Sequence, residues 1–249
     1  MPAPQAPDPT TPLARYPRFD HLTAEVSRLL LAPPECAPIP HLEDPARQPV
    51  GPLPYMGDWD TLTPVAQRDR RIIDLAAYAG IGVPGAPSVS MARASVVRRL
   101  RKAANLLPEH YGLAVFDAWR PLEVQQALYC AAYTEPGLPH GYVTPPSRDP
   151  STPPPHLTGG TVDLTLTWHG KPLALGTAFD DFTPQAHTDA FEALPGTVQA
   201  HRRLLYAVMT ASGFVNLPCE WWHFEFGTRR WAAITGNPVF LSAIEPHII

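Results

Sequence analysis

Residues 153–168 read PPPHLTGGTVDLTLTW and carry the clearest strand pattern in the chain. Within this stretch Val162, Leu164 and Leu166 alternate with polar residues, so that Asp163 falls on the opposite face, together with several threonines. Because side chains point to alternate faces of a strand, the pattern predicts a strand over 161–168 with one apolar face. A strand needs partners, and the fold is therefore expected to contain a sheet built around this segment.

The residues just before this strand form a candidate metal-binding turn. His156 follows three prolines that stiffen the chain, and Gly159 and Gly160 then permit a tight or left-handed turn before Asp163. Such a turn lets His156 and Asp163 converge on one point, and imidazole and carboxylate groups are both good zinc ligands. The alternative is an aspartate that caps or solvates an edge strand beside a histidine without a special role.

A second candidate segment, residues 220–227, reads EWWHFEFG and has the aromatic composition of a strand. On a regular strand Glu220 and His223 would face opposite sides, so a shared site requires Glu220 to lie before the strand or at a bulge. Pro218 is compatible with such an irregularity. The alternative is a buried aromatic strand whose polar residues face solvent.

Together the two segments offer two histidines and one aspartate, His156, Asp163 and His223, with Glu220 in addition. Three protein ligands that leave one coordination position open are typical of a catalytic zinc site.

The remaining pattern predicts an α+β fold with a small central antiparallel sheet, flanking helices and long Pro-rich loops. Helical spacing or helix-end signals occur at 22–32, 63–79, 89–107, 122–133 and 197–212, and a further strand is predicted at 112–117. Much of the proline, 33 residues in all, lies near the N-terminus. We expect a Pro-rich, partly irregular extension over residues 1–62 and a single domain over residues 63–249.

Composition excludes several classes of protein. The chain has 249 residues, of which 45% are hydrophobic, and 19 Lys and Arg stand against 23 Asp and Glu. A net charge of -4 is a poor match for the phosphates of a nucleic acid, and no apolar run approaches the roughly 18 residues of a membrane span. Three scattered cysteines and an N-terminus without a secretory signal lead us to expect a cytoplasmic protein.

The spacing H-x-x-G-x-x-x-D from His156 to Asp163, followed by E-x-W-H from Glu220 to His223, resembles a known family. It is similar to the zinc D-alanyl-D-alanine dipeptidases of vancomycin-resistant and other bacteria, within the wider group of metallo D,D-peptidases. Further matches follow the same order along residues 110–232: FDAWRP at 116–121, GTAFD at 176–180, and RLLY at 203–206.

The resemblance implies one Zn²⁺ per chain, bound by His156, Asp163 and His223. It also implies that Glu220 is the catalytic carboxylate, acting as general base and then general acid on the attacking water and the leaving amine. Arg120 would offer a fixed positive charge to the oxyanion of the tetrahedral intermediate. The alternative is a surface arginine paired with Asp117.

A dipeptidase must also recognise a free ammonium group. A carboxylate in the loop of Gly176 and Thr177 is a reasonable partner, which makes Asp180 the candidate. The alternatives are that Asp181 takes this role or that both aspartates only cap the loop. One departure concerns this substrate site, because the family usually has Ser two residues before the first ligand and this chain has Pro154.

The expected function is therefore zinc-dependent hydrolysis of D-Ala-D-Ala or a closely related dipeptide, serving either D-alanine recycling or a reduction of the cell-wall precursor pool. One alternative is a zinc D,D-carboxypeptidase or endopeptidase acting on peptidoglycan peptides. Another is a non-catalytic zinc-binding module. The sequence predicts a small dipeptide substrate and no nucleic-acid or membrane partner, and it leaves the oligomeric state open.

Overall fold

The structure is a computed structural model that describes residues 33–42, 60–67, 69–134, 142–239 and 241–244. The helix expected at 22–32 and much of the expected extension over 1–62 lie outside these residues. Within the described part of that extension, Ile39 is buried and His41 Nδ1 lies 3.0 Å from Asp189 Oδ2. The boundary near residue 62 stays a prediction.

The centre of the molecule is a six-stranded sheet, accompanied by a separate two-stranded one. The strands in chain order are β1 (Leu62–Pro64), β2 (Ile72–Asp74), β3 (Met91–Arg93), β4 (Tyr111–Asp117), β5 (Thr161–Trp168), β6 (Lys171–Pro172), β7 (Val215–Leu217) and β8 (Glu220–Glu225). The large sheet has the order β2-β4-β5-β8-β7, with β6 paired to β5, and β1 pairs with β3. All pairs are antiparallel except β2 and β4, which are parallel. The α+β class is confirmed, and the parallel pair is an addition to the expected antiparallel sheet.

The described helices are α1 (Ala77–Gly80), α2 (Ala94–Leu106), α3 (Leu122–Thr134), α4 (Thr197–Ala211) and α5 (Arg229–Thr235). The predictions for 122–133 and 197–212 are confirmed to within one residue. Helix α2 contacts β2 and β4, α4 contacts β5 and β7, and the two helices contact each other, so both lie on one face of the sheet. Within the described ranges, every helix is too short or too polar to span a lipid bilayer.

The helix predicted over 63–79 is wrong, because this segment forms β1, β2 and the single turn α1. Its apolar residue Ile72 is buried by pairing with Leu113 in β4, and such non-local pairing overrides local helical spacing. The helix predicted over 89–107 begins only at Ala94, since Met91–Arg93 pairs with β1. The predicted strand over 161–168 is confirmed residue for residue.

The middle strands of the sheet are buried on both faces. All residues of β4 and β8 are buried, and so are those of β5 except Trp168. The polar face predicted for β5 therefore does not meet solvent, and Asp163 is only 2% exposed. A buried carboxylate needs a charged or hydrogen-bonding partner, which directs attention to what surrounds Asp163.

Candidate active site

Strand register places three chemically active side chains in a row across the sheet. Asp117 of β4 is opposite Asp163 of β5, and Asp163 is opposite His223 of β8. A register shift after Val115 is part of this alignment, because it brings Asp117 opposite Asp163. Directly paired residues of antiparallel strands have close side chains, so the sheet itself brings the carboxylate and the imidazole together.

The predicted turn before β5 delivers the second imidazole. Residues Pro155–Thr158 form a 3₁₀ turn that ends at Gly159 with a φ of 69°, a conformation suited to glycine. Gly160 then passes so close to β8 that a Cβ atom there would lie 2.6 Å from the Phe226 carbonyl oxygen. As a result His156 Nε2 lies 3.3 Å from Asp163 Oδ2.

The predicted irregularity in β8 is also present. Leu217 pairs with Glu220 and the adjacent Asn216 pairs with Phe224, so the register shifts between them. This bulge brings Glu220 to the same side as His223, with Glu220 Oε2 at 3.6 Å from His223 Nδ1. A regular strand would have separated these two side chains.

His156, Asp163 and His223 each offer one ligand atom, and these atoms lie within 4.8 Å of one another. All three residues are buried, and they are the group able to hold a metal ion among the residues that the structure describes. Each histidine uses its other ring nitrogen for a hydrogen bond: His156 Nδ1 lies 2.6 Å from the Ala118 carbonyl oxygen, and His223 Nε2 lies 3.0 Å from Glu225 Oε1. Both partners can only accept a hydrogen bond, so these nitrogens donate it, and a neutral ring directs the lone pair of its remaining nitrogen at Asp163.

The arrangement around Asp163 fits a cation. Asp163 Oδ1 is buried and lies 3.0 Å from His223 Nδ1, and while that ring nitrogen carries no proton, Oδ1 accepts no hydrogen bond from the part of the chain that the structure describes. A carboxylate oxygen and an imidazole lone pair at this distance repel each other unless a metal ion or a proton lies between them. In the metal-free chain that role falls to a proton: burial alone would lower the pKa of His223, but Asp163 and Glu225 outweigh it and raise that pKa to about 10.

Glu225 is a member of the site that sequence reasoning missed. It is fully buried, accepts from Thr228 Oγ1, and lies 2.9 Å from Arg230 Nε in addition to its contact with His223. Burial raises the pKa of the Glu225 carboxyl, but the hydrogen bond from His223 and the charge of Arg230 together lower it to about 2. The signal was present in EWWHFEFG, because Glu225 follows His223 by two residues and shares its face.

Arg120 is buried at the other side of Asp163. Its guanidinium donates through Nε to Asp117 Oδ2 at 2.9 Å and through Nη1 to Gln125 Oε1 at 2.9 Å, and Nη2 lies 3.7 Å from Asp163 Oδ2. Burial disfavours the charge, but Tyr78 and the carboxylates more than compensate and raise the pKa of Arg120 above its usual range. The guanidinium is therefore charged and held in one orientation.

Asp180 lies in a left-handed conformation with a φ of 59°, and Tyr78 donates its hydroxyl hydrogen to Asp180 Oδ2 at 2.7 Å. Burial raises the pKa of Asp180 to about 7, although Tyr78 and Arg120 oppose the shift. The loop that carries Asp180 is tied to β8, because Trp221 Nε1 donates to Thr177 Oγ1 at 2.8 Å. Trp222 packs edge-on against the ring of Phe179.

Glu220 is buried, and this burial is the main reason that its pKa is raised to about 8. Nearby Asp163 and Asp180 add to the shift, while His223 and Arg120 oppose it. A carboxyl group of this kind can exchange a proton near neutral pH, which is the property required of a general base or acid.

All six side chains singled out in the sequence line one cleft with a volume of about 50 Å³: Arg120, His156, Asp163, Asp180, Glu220 and His223. Asp181, the alternative to Asp180, is not part of its lining, and neither is Pro154. Pro154 is buried and precedes the 3₁₀ turn, where its carbonyl oxygen accepts from Leu157 N at 3.0 Å. Besides Glu225, sequence reasoning did not identify Tyr78 and Gln125, which also line the cleft.

Comparison with known proteins shows which family and which relatives the chain is similar to. The family model Peptidase_M15, described as D-ala-D-ala dipeptidase, matches residues 87–235, a span that contains all six side chains. A protein of Synechocystis sp. named D-alanyl-D-alanine dipeptidase is 28% identical over 215 residues, or 72% of this chain and 87% of that protein. Relatives of the same name from Escherichia coli K12 and Enterococcus faecalis are 37% and 31% identical over 114 and 134 residues, or 45% and 46% of this chain. These matches cover 54% and 62% of the two relatives.

The family match extends over more than half of the chain and includes every strand and helix from β3 to α5, whereas α1, which carries Tyr78 of the cleft, lies before it. The chain is thus a peptidase and belongs to the D-ala-D-ala dipeptidase family, Peptidase_M15.

Proposed function

We propose that this chain is a zinc-dependent dipeptidase that hydrolyses D-Ala-D-Ala or a closely related dipeptide. The observation that carries the proposal is the meeting of a buried metal-ligand triad, a buried carboxyl group and a buried guanidinium in one cleft. The names of the relatives support the choice of substrate.

In this proposal His156, Asp163 and His223 hold one zinc ion. Two imidazoles and one carboxylate are a ligand set found in catalytic zinc sites, which keep a further position open. Zinc in such a site lowers the pKa of a water molecule and polarises the carbonyl group of the substrate.

Glu220 is the proposed general base and acid. Its carboxylate, 3.6 Å from the ring of His223, is placed to take a proton from the attacking water and to deliver it to the leaving amine. A cation held by the triad would lower the pKa of Glu220 from its value of about 8, so that more of the carboxylate is ionised at neutral pH.

Arg120 is the proposed stabiliser of the oxyanion. Asp117 and Gln125 fix its guanidinium before substrate arrives, so that little reorganisation is needed as negative charge develops. Its contact with Asp117, which from the sequence alone was the competing structural role, is thus compatible with a role in the cleft.

Asp180 is the proposed partner of the substrate ammonium group. Tyr78 occupies Oδ2, and the carboxylate faces the same cleft as the triad. A peptide that is acylated at this nitrogen has no ammonium group to offer, so the buried Asp180 carboxylate keeps its hydrogen bond from Tyr78 but lacks the cation of the substrate, which is costly. This argument favours a dipeptide over the longer peptides of a D,D-carboxypeptidase.

The test is an assay of purified protein with D-Ala-D-Ala, measuring released D-alanine before and after treatment with a chelator and again after zinc is restored. We expect release that the chelator abolishes and zinc restores, and a much lower rate with the N-acetylated dipeptide. Absence of metal-dependent release would contradict the proposal. Cleavage of a precursor pentapeptide in preference to the dipeptide would support the carboxypeptidase instead.

A further inference from the structure

Glu225 makes a contact with a metal ligand that the proposed mechanism does not use. Its Oε1 atom lies 3.0 Å from His223 Nε2, the ring nitrogen on the far side from Asp163. Glu225 is absent from the lining of the catalytic cleft, so it does not reach the substrate. Its direct contact with the triad is therefore the one with the imidazole of His223.

The carboxylate of Glu225 is itself held firmly. Thr228 donates its hydroxyl hydrogen to Oε2, and Arg230 Nε donates to Oε1 at 2.9 Å. Thr228 also caps α5, where its hydroxyl oxygen accepts from Trp231 N at 3.3 Å. The carboxylate is thus positioned by the end of β8 and the start of the following helix, with no exposed surface.

The two histidines differ in this respect. His156 Nδ1 donates to the Ala118 carbonyl oxygen at 2.6 Å, with the carboxylate of Asp117 farther away at 3.4 Å, whereas the hydrogen bond of His223 Nε2 goes directly to a carboxylate. A carboxylate partner fixes the ring so that Nδ1 carries the lone pair, and it makes that lone pair a stronger donor to a metal.

We propose that Glu225 is a positioning residue for the metal: it holds His223 in the Nε2-protonated form, with Nδ1 directed at the site, and thereby strengthens metal binding. The inference rests on the metal triad of the proposed function, but not on the identity of the substrate. It assigns the buried ion pair of Glu225 and Arg230 a role in the site rather than in the fold alone.

The first test compares the zinc dissociation constants of the wild-type chain and the variant Glu225→Gln, measured by competition with a chelating dye. We expect binding about 10- to 100-fold weaker in the variant, the usual cost of losing such a partner. Glu192→Gln is a matched control, because Glu192 accepts from Arg203 Nε at 3.0 Å outside the cleft, and its zinc affinity should equal the wild type's. Equal affinity in a folded Glu225→Gln protein would overturn the inference.

The second test needs no variant and therefore remains decisive if Glu225→Gln fails to fold. Nitrogen-15 NMR of the zinc-loaded wild-type protein reports which ring nitrogen of His223 carries the proton. We expect a hydrogen-bonded proton on Nε2 and a metal-shifted Nδ1, and the reverse assignment would overturn the inference. Both measurements are made without substrate, so they support or overturn the role of Glu225 whether or not D-Ala-D-Ala is cleaved.

Discussion

Two regions of different construction bring an imidazole to the same aspartate. His156 lies on a short turn whose path is set by backbone conformation, and its ring is supported by the Ala118 carbonyl. His223 lies in a strand, and its ring is supported by the buried carboxylate of Glu225. We therefore expect the turn to be sensitive to changes at its glycines, and the strand to be sensitive to changes of charge and pH.

The largest expected effect comes from the residue that joins the two regions. Replacement Asp163→Asn removes the negative charge that both imidazoles face, and we expect zinc binding and hydrolysis to fall below detection. Zinc content by atomic absorption and release of D-alanine would measure this. Asp189→Asn, which removes the same charge beside the exposed His41, should leave both unchanged. Retention of zinc by Asp163→Asn would show that the two regions do not share one ion.

A smaller effect is expected within the strand region alone. Glu220→Gln keeps the shape of the side chain but cannot accept a proton, so we expect kcat to fall by about 10²- to 10⁴-fold. Zinc should remain bound at the wild-type stoichiometry, because Glu220 is not one of the three ligands. Steady-state kinetics with metal analysis distinguishes this outcome from the loss of the ion itself. Wild-type turnover in this variant would contradict the role proposed for Glu220.

The sequence also predicts more of one region than of the other. The turn and β5 were predicted from residues close in sequence: Gly159, Gly160 and the alternation that follows them. The bulge at Glu220 followed from requiring a shared site. The sequence does not predict hydrogen-bond partners that come from distant segments of the chain, such as the Ala118 carbonyl oxygen that accepts from His156. No local pattern encodes which carbonyl group a folded chain will place beside an imidazole.

The error over residues 63–79 has the same cause. Local spacing around Ile72 is compatible with a helix, but β4 offers a buried edge that pairs with this segment in parallel. Parallel pairing depends on residues far along the chain and leaves no signature in an apolar run this short. Family resemblance did not correct the error, because the residues that carry it begin after this segment.

A moderate effect on stability is expected from the turn region. In Gly160→Ala the new Cβ atom would lie 2.6 Å from the Phe226 carbonyl oxygen, a backbone atom that cannot rotate away. We expect the free energy of unfolding of the metal-free protein to fall by about 1–3 kcal/mol. Urea denaturation measures this, with Gly80→Ala as control, since a Cβ atom there meets nothing within 4 Å. An unchanged free energy of unfolding in Gly160→Ala would show that the turn does not depend on a glycine at this position.

The smallest expected effect, taken per pH unit, is the pH dependence that the strand region imposes on metal binding. The pKa of His223 in the metal-free chain is about 10, because Asp163 and Glu225 outweigh the opposing effect of burial. Below that pH the ring is protonated and zinc must displace the proton, so zinc affinity should rise with pH by about tenfold per pH unit for each proton displaced. Dissociation constants measured between about pH 6 and 8 test this. In Glu225→Gln we expect a lower pKa of His223, so that zinc affinity stops rising at a lower pH than in the wild type. A wild-type zinc affinity that stays constant over this range would contradict the contrast between the two imidazoles.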